Sequence, residues 1–239
     1  VKNIVTGLDF GYSYYSGNSI LSELATRFPV SLKLGLISVV LTVVIGVPSG
    51  IISATKQYSL LDYSVTLVSL FFAAVPGFWL SMIMILIFSS RLGWLPSSGL
   101  TDWTCYIMPV IASSAQYVAS VTRQTRSSML EVIRQDYIRT ARAKGVSERA
   151  VIFRHALRNA LIPVVTLIGL QAGAVIAGSA IIEAVHSFPG MGSLMMTAIN
   201  NKDYSTIQAV VLVLSAVVCV INLLVDTVYA VIDPRVEIR

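Results

Sequence analysis

Residues 123–158 read RQTRSSMLEVIRQDYIRTARAKGVSERAVIFRHALR, and they interrupt an otherwise apolar chain. Nine of the 17 Lys and Arg residues lie in this basic segment beside three acidic residues, so its formal net charge is nine minus three, or +6. The remaining residues sum to −1, because the whole chain carries +5. Long uncharged runs flank the basic segment on both sides, which indicates a charged loop between membrane-spanning helices.

The composition is that of a membrane protein. Hydrophobic residues make up 55% of the chain and charged residues 12%, against roughly 25% charged in soluble domains. Five uncharged runs reach the length of about 20 residues that a helix needs to cross a bilayer. They are continuously apolar rather than alternating, which predicts an all-α polytopic helix bundle and not a strand barrel. The runs cover residues 34–55, 63–90, 103–122, 159–182 and 204–225.

Small and helix-bending residues within these runs favour close packing between the helices. Ordinary packing is the simpler explanation for any one glycine, whereas Pro76-Gly77 is the best candidate for a functional kink. The residues are Gly46, Pro48, Gly50, Pro76, Gly77, Gly169, Gly173 and Gly178.

The distribution of basic residues predicts the orientation, because cytoplasmic loops carry the excess of Lys and Arg. With the basic segment inside, alternation of the spans also places Lys56, Arg235 and Arg239 inside, giving twelve basic residues against five outside. The same alternation puts residue 1 outside, although the chain starts at Val1 with no preceding segment that could carry it across. We therefore expect a missing first helix, with five spans present of an expected six.

The basic segment contains a helical pattern on either side of a glycine. Apolar or small residues recur at every fourth position from Ser128 to Ala141, which predicts one amphipathic helix. Gly145 interrupts the pattern, and Ser147 is a candidate N-cap for a second amphipathic helix. The repeating residues of the first helix are Met129, Ile133, Tyr137 and Ala141, and those of the second are Val151, Phe153, Ala156 and Leu157.

Three interpretations of this helix pair remain open from the pattern alone. It could lie on anionic lipid as an ordinary positive-inside loop. It could place its apolar face in a groove on a cytoplasmic partner. A calmodulin-like or nucleic-acid contact is the third, without a specific feature in its favour.

Two motifs, one within the basic segment and one extending past its end, resemble the EAA loop of binding-protein-dependent ABC importer permeases. They are Asp136-Tyr-Ile-Arg-Thr-Ala-Arg-Ala-Lys-Gly145 and Arg154-His-Ala-Leu-Arg-Asn159-Ala-Leu-Ile-Pro163. Arg139 and Thr140 replace the Glu and the first Ala of the general motif, and the second run is similar to the dipeptide, oligopeptide and nickel permease subfamily. Further similar motifs are Leu8-Asp-Phe-Gly11-Tyr-Ser, Arg27-Phe-Pro29, Pro76-Gly-Phe-Trp79, Leu92-Gly-Trp-Leu-Pro96, Phe188-Pro-Gly190-Met-Gly192 and Asp233-Pro-Arg235.

This resemblance implies a type I permease fold and a set of partners. Expected partners are a second homologous permease, two cytoplasmic ATPases, an extracytoplasmic solute-binding protein and the lipid bilayer, with no nucleic acid. ATP and Mg²⁺ would be bound by the ATPases, since this chain lacks a P-loop sequence. The chain itself would be a transport subunit without a catalytic site, a bound cofactor or a metal site, in the cytoplasmic membrane of a bacterium or archaeon.

The resemblance also divides the chain into regions. We expect an extracytoplasmic segment at residues 1–30, a permease domain at 31–232 with a cytoplasmic coupling loop at 126–158, and a cytoplasmic tail at 233–239. The coupling loop would dock on an ATPase, with the coupling helix around residues 141–148. Its candidate residues are Asp136, Arg139, Ala141, Lys144, Gly145, Val146, Glu148, Arg154 and Arg158.

Candidate pathway or gate residues lie in and beyond the spans. Glu183 could close an outer gate or contact the binding protein, although a simple helix-end role is equally compatible with its position. Polar residues such as Gln116 and Gln171 could line a hydrated route or join helices. Asp226 is better explained as a structural salt bridge or an interfacial anchor than as a substrate contact, and residues 191–199 predict a short amphipathic helix at the outer surface. The pathway candidates are Pro76, Gly77, Gln171, Glu183, Phe188, Pro189 and Gly190.

The transported solute is expected to be a di- or oligopeptide, with a nickel chelate as the alternative in the same subfamily. His155 and His186 are predicted on opposite sides of the membrane, so they cannot share a metal ion. A channel or secondary transporter is the rival class, but it would give the cytoplasmic helix pair no partner. A purely structural scaffold would leave the Gly145 turn unexplained.

Overall fold

A computed structural model describes residues 10–177 and 179–232. Regular structure in those ranges is helical, apart from one isolated bridge between Tyr12 and Ser19. The all-α prediction is therefore confirmed for the described chain. Several expectations concern positions outside these residues: Gly178, the start of the Leu8 motif, the Asp233 motif and the 233–239 tail.

Ten α-helices cover most of the described chain. They are accompanied by two π-helical turns, Ile85–Arg91 and Val151–Ala156, and by a 3₁₀ turn, Trp103–Tyr106. The α-helices are α1 (Ile20–Thr55), α2 (Leu60–Ala74), α3 (Gly77–Met84), α4 (Ile107–Ile133), α5 (Asp136–Ala143), α6 (Glu148–Ala150), α7 (Leu157–Ala177), α8 (Ala180–Val185), α9 (Met191–Asn200) and α10 (Tyr204–Ile232).

Among the described residues, three helices are long and apolar enough to cross a membrane: Ile20–Thr55, Glu148–Ile176 and Tyr204–Val225. A fourth candidate is the pair Leu60–Ala74 and Gly77–Arg91, which is bent by 100°. The remaining predicted run, 103–122, lies largely in α4. This helix continues past the run into the basic segment, and it is not among these candidates. Length and composition thus identify three or four spans in the described chain, where the sequence predicted five.

The bend within the predicted span 63–90 lies at Val75 and Pro76. Proline has no N–H to donate and disfavours helical backbone in the residue before it. Val75 is extended accordingly, with φ −83° and ψ 122°. The carbonyl of Val75 instead accepts a hydrogen bond of 3.1 Å from Gln116 Nε2. The kink predicted at Pro76-Gly77 is present, and the predicted span 63–90 corresponds to a pair of helices bent at this point.

The described residues divide into two compact units. Unit 1 contains residues 10–38, 77–113 and 172–221, except 178, and unit 2 contains 39–76, 114–171 and 222–232. Each unit has its own buried apolar cluster. That of unit 1 comprises Ile20, Leu24, Met191, Leu194, Ala209 and Val210. That of unit 2 comprises Ile51, Ala54, Met129, Ile138, Val151, Ala156 and Ala160.

Glycines allow the close helix contacts that the sequence predicts in unit 2. A Cβ added to Gly169 would lie 2.5 Å from Val225 Cγ2, and one added to Gly50 would lie 2.7 Å from the carbonyl oxygen of Thr122. A Cβ at Gly46 would lie 2.9 Å from Val121 Cγ1. Such distances are below ordinary van der Waals contact, so these positions require glycine for packing.

Candidate functional site

The first helix of the coupling loop differs from its predicted course. The sequence predicts one helix from Ser128 to Ala141, but α4 ends at Ile133 and α5 begins at Asp136. Gln135 lies between them with extended backbone, φ −68° and ψ 150°. This break shifts the helical phase, so that Ile138 is fully buried while Tyr137 is 44% exposed.

The coupling loop has one face inside the apolar cluster of unit 2. Ile138 of α5 and Val151 and Ala156 of the π-helical turn are all fully buried. They pack with Met129 of α4, Ile51 of α1 and Ala160 of α7. Phe153, which the sequence pattern placed on the apolar face, is 56% exposed, because the π-helical turn changes the residue spacing. The loop is therefore fixed to three long helices through its buried face.

A Schellman motif forms the turn at Gly145. The Gly145 N–H donates to the Arg142 carbonyl at 2.9 Å, and the Val146 N–H donates to the Ala141 carbonyl at 3.2 Å. Gly145 has φ +79°, a region that residues with a side chain rarely adopt, and an added Cβ would meet nothing within 4 Å. The glycine is thus required by backbone conformation and not by lack of space.

An ion pair crosses this turn. Arg142 donates to both carboxylate oxygens of Glu148, at 3.0 Å from Nε and 2.7 Å from Nη2. This hydrogen bonding with Glu148 raises the pKa of Arg142 above its usual value.

Ser147 is at the N-cap position, as predicted, but its side chain makes no capping hydrogen bond. A second link joins α5 to α7, since Asn159 Nδ2 donates to the Tyr137 hydroxyl at 2.7 Å.

The candidate coupling residues form an exposed rim around the turn. All but two of them are exposed, and the exceptions, Ala141 and Val146, pack at the edge of the apolar cluster. Their pair interactions at the surface are weak, as the 3.6 Å separation between Arg139 and Asp136 illustrates. The exposed residues are Asp136, Arg139, Lys144, Gly145, Glu148, Arg154 and Arg158.

Unit 2 contains a buried carboxylate that the sequence did not identify as a candidate site residue. Asp62, in the first turn of α2, is 2% exposed and accepts hydrogen bonds from Arg126 Nε at 2.7 Å and Arg126 Nη2 at 2.9 Å. Ser53 Oγ and the Tyr58 N–H, the latter at 3.0 Å, also donate to it. We call these four residues the Asp62 junction. It joins the end of α1, the following turn, α2 and α4.

Unit 1 contains a second buried carboxylate, and this one was a candidate. Glu183 of α8 is fully buried, with Oε1 accepting from Ser31 Oγ at 2.6 Å and Ser179 Oγ at 2.7 Å. Its Oε2 accepts from the backbone N–H groups of Gly192 at 2.8 Å and Ser193 at 3.2 Å, in the first turn of α9. We call these five residues the Glu183 junction. It joins α1, α8 and α9.

Two glycines make room for the Glu183 junction. A Cβ on Gly190 would lie 2.6 Å from Ser31 Oγ and 2.6 Å from Glu183 Cδ. A Cβ on Gly192 would overlap Ala180, at 2.7 Å from its Cβ and 2.9 Å from its backbone nitrogen. The motif Phe188-Pro-Gly190-Met-Gly192 therefore has a steric explanation, and α9 covers the predicted short helix 191–199.

The loop between α8 and α9 buries part of its side chains. Phe188 is 1% exposed and packs edge-on against Tyr106 at 5.1 Å between ring centroids, while Pro189 is exposed. His186 is also buried, and this burial lowers its pKa. Glu183, Phe188 and Gly190 are thus brought together in unit 1.

The remaining candidate pathway residues contact neighbouring helices. Gln171 Nε2 donates to Ser120 Oγ at 3.0 Å, while its buried Oε1 has no hydrogen-bond partner within the described chain. A Cβ on Gly77 would lie 3.1 Å from the Ala112 carbonyl oxygen. Gln116 joins α4 to the end of α2, which favours the helix-joining interpretation for this residue. The side chain of Asp226 lies outside the described residues.

Comparison with known proteins gives a consistent set of similarities. The family described as "Binding-protein-dependent transport system inner membrane component" matches residues 46–238. The oligopeptide transport system permease protein AppB of Bacillus subtilis (strain 168) is 41% identical over 246 residues, which cover 98% of this chain and 78% of AppB. The glutathione transport system permease protein GsiC of Escherichia coli (strain K12) is 41% identical over 239 residues, covering 100% of this chain and 78% of GsiC.

A solved structure with the same fold is that of the MetNI methionine ABC transporter in an inward-facing conformation. Its matching chain superposes with a TM-score of 0.76 at 20% sequence identity, covering 89% of this chain and 97% of that chain. At this identity the likeness concerns the fold alone.

Proposed function

Because the chain belongs to the family of binding-protein-dependent transport system inner membrane components, and is therefore a permease subunit of an ABC importer, we propose that it forms one half of a pathway for di- or oligopeptides. Peptides are favoured over the nickel alternative because one relative is named for oligopeptide transport and the other for glutathione, itself a short peptide. A second, homologous permease would form the other half of the pathway.

The proposal includes partners on both sides of a bacterial or archaeal cytoplasmic membrane. Two ATPase subunits would bind ATP and Mg²⁺ and hydrolyse ATP at the cytoplasmic face. The coupling loop and the C-terminus would lie on this face, which the excess of basic residues supports. An extracytoplasmic solute-binding protein would deliver the peptide to the opposite face. The family description supports a binding protein as partner, and the charge distribution supports the orientation.

The observation that carries the coupling role is the division of the loop into a buried and an exposed face. Ile138, Val151 and Ala156 are fully buried in the apolar cluster of unit 2, while the charged residues around Gly145 are exposed. A partner that binds the exposed face would therefore exert its force on α1, α4 and α7 through packed side chains. Such packing resists gradual deformation and transmits displacement.

The coupling mechanism follows from this attachment. Closure of the ATPases around ATP would displace the turn at Gly145, and α4 and α7 would move with it. The permease would then alternate between outward-open and inward-open states. ATP can shift this equilibrium only by its differential affinity for the two states, so a rigid connection between loop and helices is needed.

The substitution Gly145→Leu tests the coupling role in the assembled transporter reconstituted in vesicles. A side chain at φ +79° would destabilise the Schellman turn without a steric clash. We expect normal abundance in the membrane but peptide uptake per ATP hydrolysed reduced about fivefold or more, within the usual range of coupling between sites. Gly93→Leu is the matched control, because Gly93 has φ +63° and equally open surroundings.

Copurification in mild detergent separates this function from the rival class. A permease should retain its ATPase pair, whereas a channel or secondary transporter should be purified without one. Normal uptake by Gly145→Leu would contradict the docking role of the turn. Uptake without any associated ATPase would contradict the importer assignment itself.

A further inference from the structure

Helix α2 is attached to its neighbours through polar residues. Its surface is strongly apolar, with Leu60 85% exposed and Leu67 69% exposed, yet the two buried residues of α2 are Asp62 and Ser69. Apolar packing is non-directional and lets surfaces slide, whereas hydrogen bonds fix one register. The position of α2 therefore depends on specific polar contacts.

Three side chains of α4 supply such contacts along the length of α2. Arg126 binds Asp62 in the first turn of α2, and Arg123 Nη1 donates to the Ser69 carbonyl at 3.4 Å in its middle. Gln116 reaches the freed carbonyl of Val75 at its end, at 3.1 Å. The contacts thus run from one end of α2 to the other.

The strongest of the three contacts also involves α1. A bidentate guanidinium–carboxylate pair fixes both the distance and the orientation of its two partners. Asp62 further accepts from Ser53 of α1 and from the N–H of Tyr58, which has φ +63° and is held in this uncommon conformation. Arg126 lies seven residues before the end of α4, where the coupling loop continues towards α5.

From this arrangement we propose that Asp62 and Arg126 are positioning residues for energy coupling: they make α2 and the end of α1 move with α4 as one body. The inference rests on the proposed docking of the coupling loop on an ATPase. Displacement of the loop moves α4, and the bidentate pair passes the displacement to α1 and α2. Loss of the pair allows α4 to move alone, so that ATP is hydrolysed with less transport.

Distance measurements between spin labels test the joint movement of α2 and α4. The spin labels replace Leu67 on α2 and Ser127 on α4, which are both exposed. The complete transporter is used, and it carries Cys219→Ser so that this exposed native thiol stays unlabelled. The native chain should give the same label distance without nucleotide and with trapped ATP. Arg126→Lys, which keeps the charge but loses the planar fork, should give a distance that changes between these states.

Transport per ATP hydrolysed is measured on the unlabelled Arg126→Lys protein. We expect a fall of about fivefold or more, the lower end of usual coupling between sites, with undiminished ATPase copurification. Arg91→Lys is the matched control, being the same substitution at an exposed position in unit 1. If Arg126→Lys is poorly produced, the double variant Asp62→Asn with Arg126→Gln replaces the ion pair by an uncharged amide pair and should show the same defect.

Each result bears on one claim. A label distance that changes with nucleotide in the native chain, or unaltered transport per ATP in Arg126→Lys, would overturn the joint movement of α2 and α4. Failure of the native chain to copurify with ATPases would instead overturn the proposed function, whatever the label distances. A purely structural role would lower protein abundance without changing transport per ATP.

Discussion

Two buried carboxylates, Asp62 in unit 2 and Glu183 in unit 1, join helices by different chemistry. Asp62 faces a guanidinium that donates to both of its oxygens. Glu183 faces four neutral donors, two hydroxyl groups and two N–H groups at the start of α9. A buried charge can thus be stabilised by an opposite charge or by oriented dipoles, and the second solution requires backbone to approach closely.

This difference determines which substitution each junction tolerates. The Glu183 junction brings α8 and α9 together through glycine, so added volume should disrupt it. In the Asp62 junction both oxygens accept from one cation, so an amide in place of the carboxylate leaves a donor facing a donor.

Gly192→Ala should be the most destabilising of these changes. The added Cβ would overlap the backbone of Ala180, which cannot move aside as the end of a flexible side chain could. We expect a loss of about 3 kcal/mol or more in the free energy of unfolding, at the upper end for overpacking. Thermal unfolding in mild detergent measures it, with Gly93→Ala as the control that has open space around the new Cβ. Equal stability of the two variants would contradict the steric account.

Asp62→Asn should come next. Whichever way the amide turns, its NH₂ group faces a nitrogen of Arg126, and the guanidinium loses its counter-charge. Because the Arg126 side chain is 29% exposed, we discount the usual cost of breaking a buried pair and expect about 2 kcal/mol. Thermal unfolding compares this variant with Asp102→Asn, where an exposed carboxylate caps a 3₁₀ turn and Asn caps equally well. Similar losses in both variants would show that the ion pair adds nothing.

Glu183→Gln should be milder, although its carboxylate is the more deeply buried. The amide oxygen can keep accepting from Gly192 and Ser193, while the NH₂ group can donate to the hydroxyl oxygens of Ser31 and Ser179, which rotate to accept. We expect a loss of about 1 kcal/mol in thermal unfolding. Glu183→Leu, which deprives all four donors of their acceptor, should lose clearly more. If Gln is as damaging as Leu, the negative charge itself is what the junction needs.

Arg142→Gln should have the smallest effect on stability. The Arg142–Glu148 pair has the same bidentate geometry as the Asp62 pair, but its side chains are 38% and 58% exposed. Water and salt screen such pairs, so we expect a loss of no more than about 0.5 kcal/mol, decreasing further at high salt. Unfolding at low and high salt measures it, with Arg126→Gln as the buried counterpart. A loss equal to that of Arg126→Gln would mean that burial does not separate the two pairs.

Much of the coupling loop could be predicted because its signals are local. The turn at Gly145 depends on backbone conformation within a few residues, and the bend at Pro76 depends on one missing N–H and one steric restriction. The helix phase could not be predicted, because a repeat of four residues fits a continuous helix from Ser128 to Ala141 as well as two helices broken at Gln135. The broken arrangement buries Ile138 in place of Tyr137.

The junctions lie beyond such local signals. Asp62 and Arg126 are separated by 64 positions, and Ser31 and Glu183 by 152. An acidic residue just before an uncharged run looks like an ordinary helix-end charge, and Arg126 was indistinguishable from the other basic residues of its segment. Glu183 was a candidate because it is an ionisable residue at the end of the predicted span 159–182.

The sequence by itself determined the membrane class, the helical architecture, the family and the two backbone breaks at Pro76 and Gly145. Those properties follow from average polarity and from conformational limits of single residues, which need no knowledge of distant neighbours. The tertiary structure alone decided which carboxylates are buried and which groups stabilise each one. Burial and hydrogen bonding depend on which helices meet, so the same carboxylate is a solvated helix end in one arrangement and a junction of three elements in another.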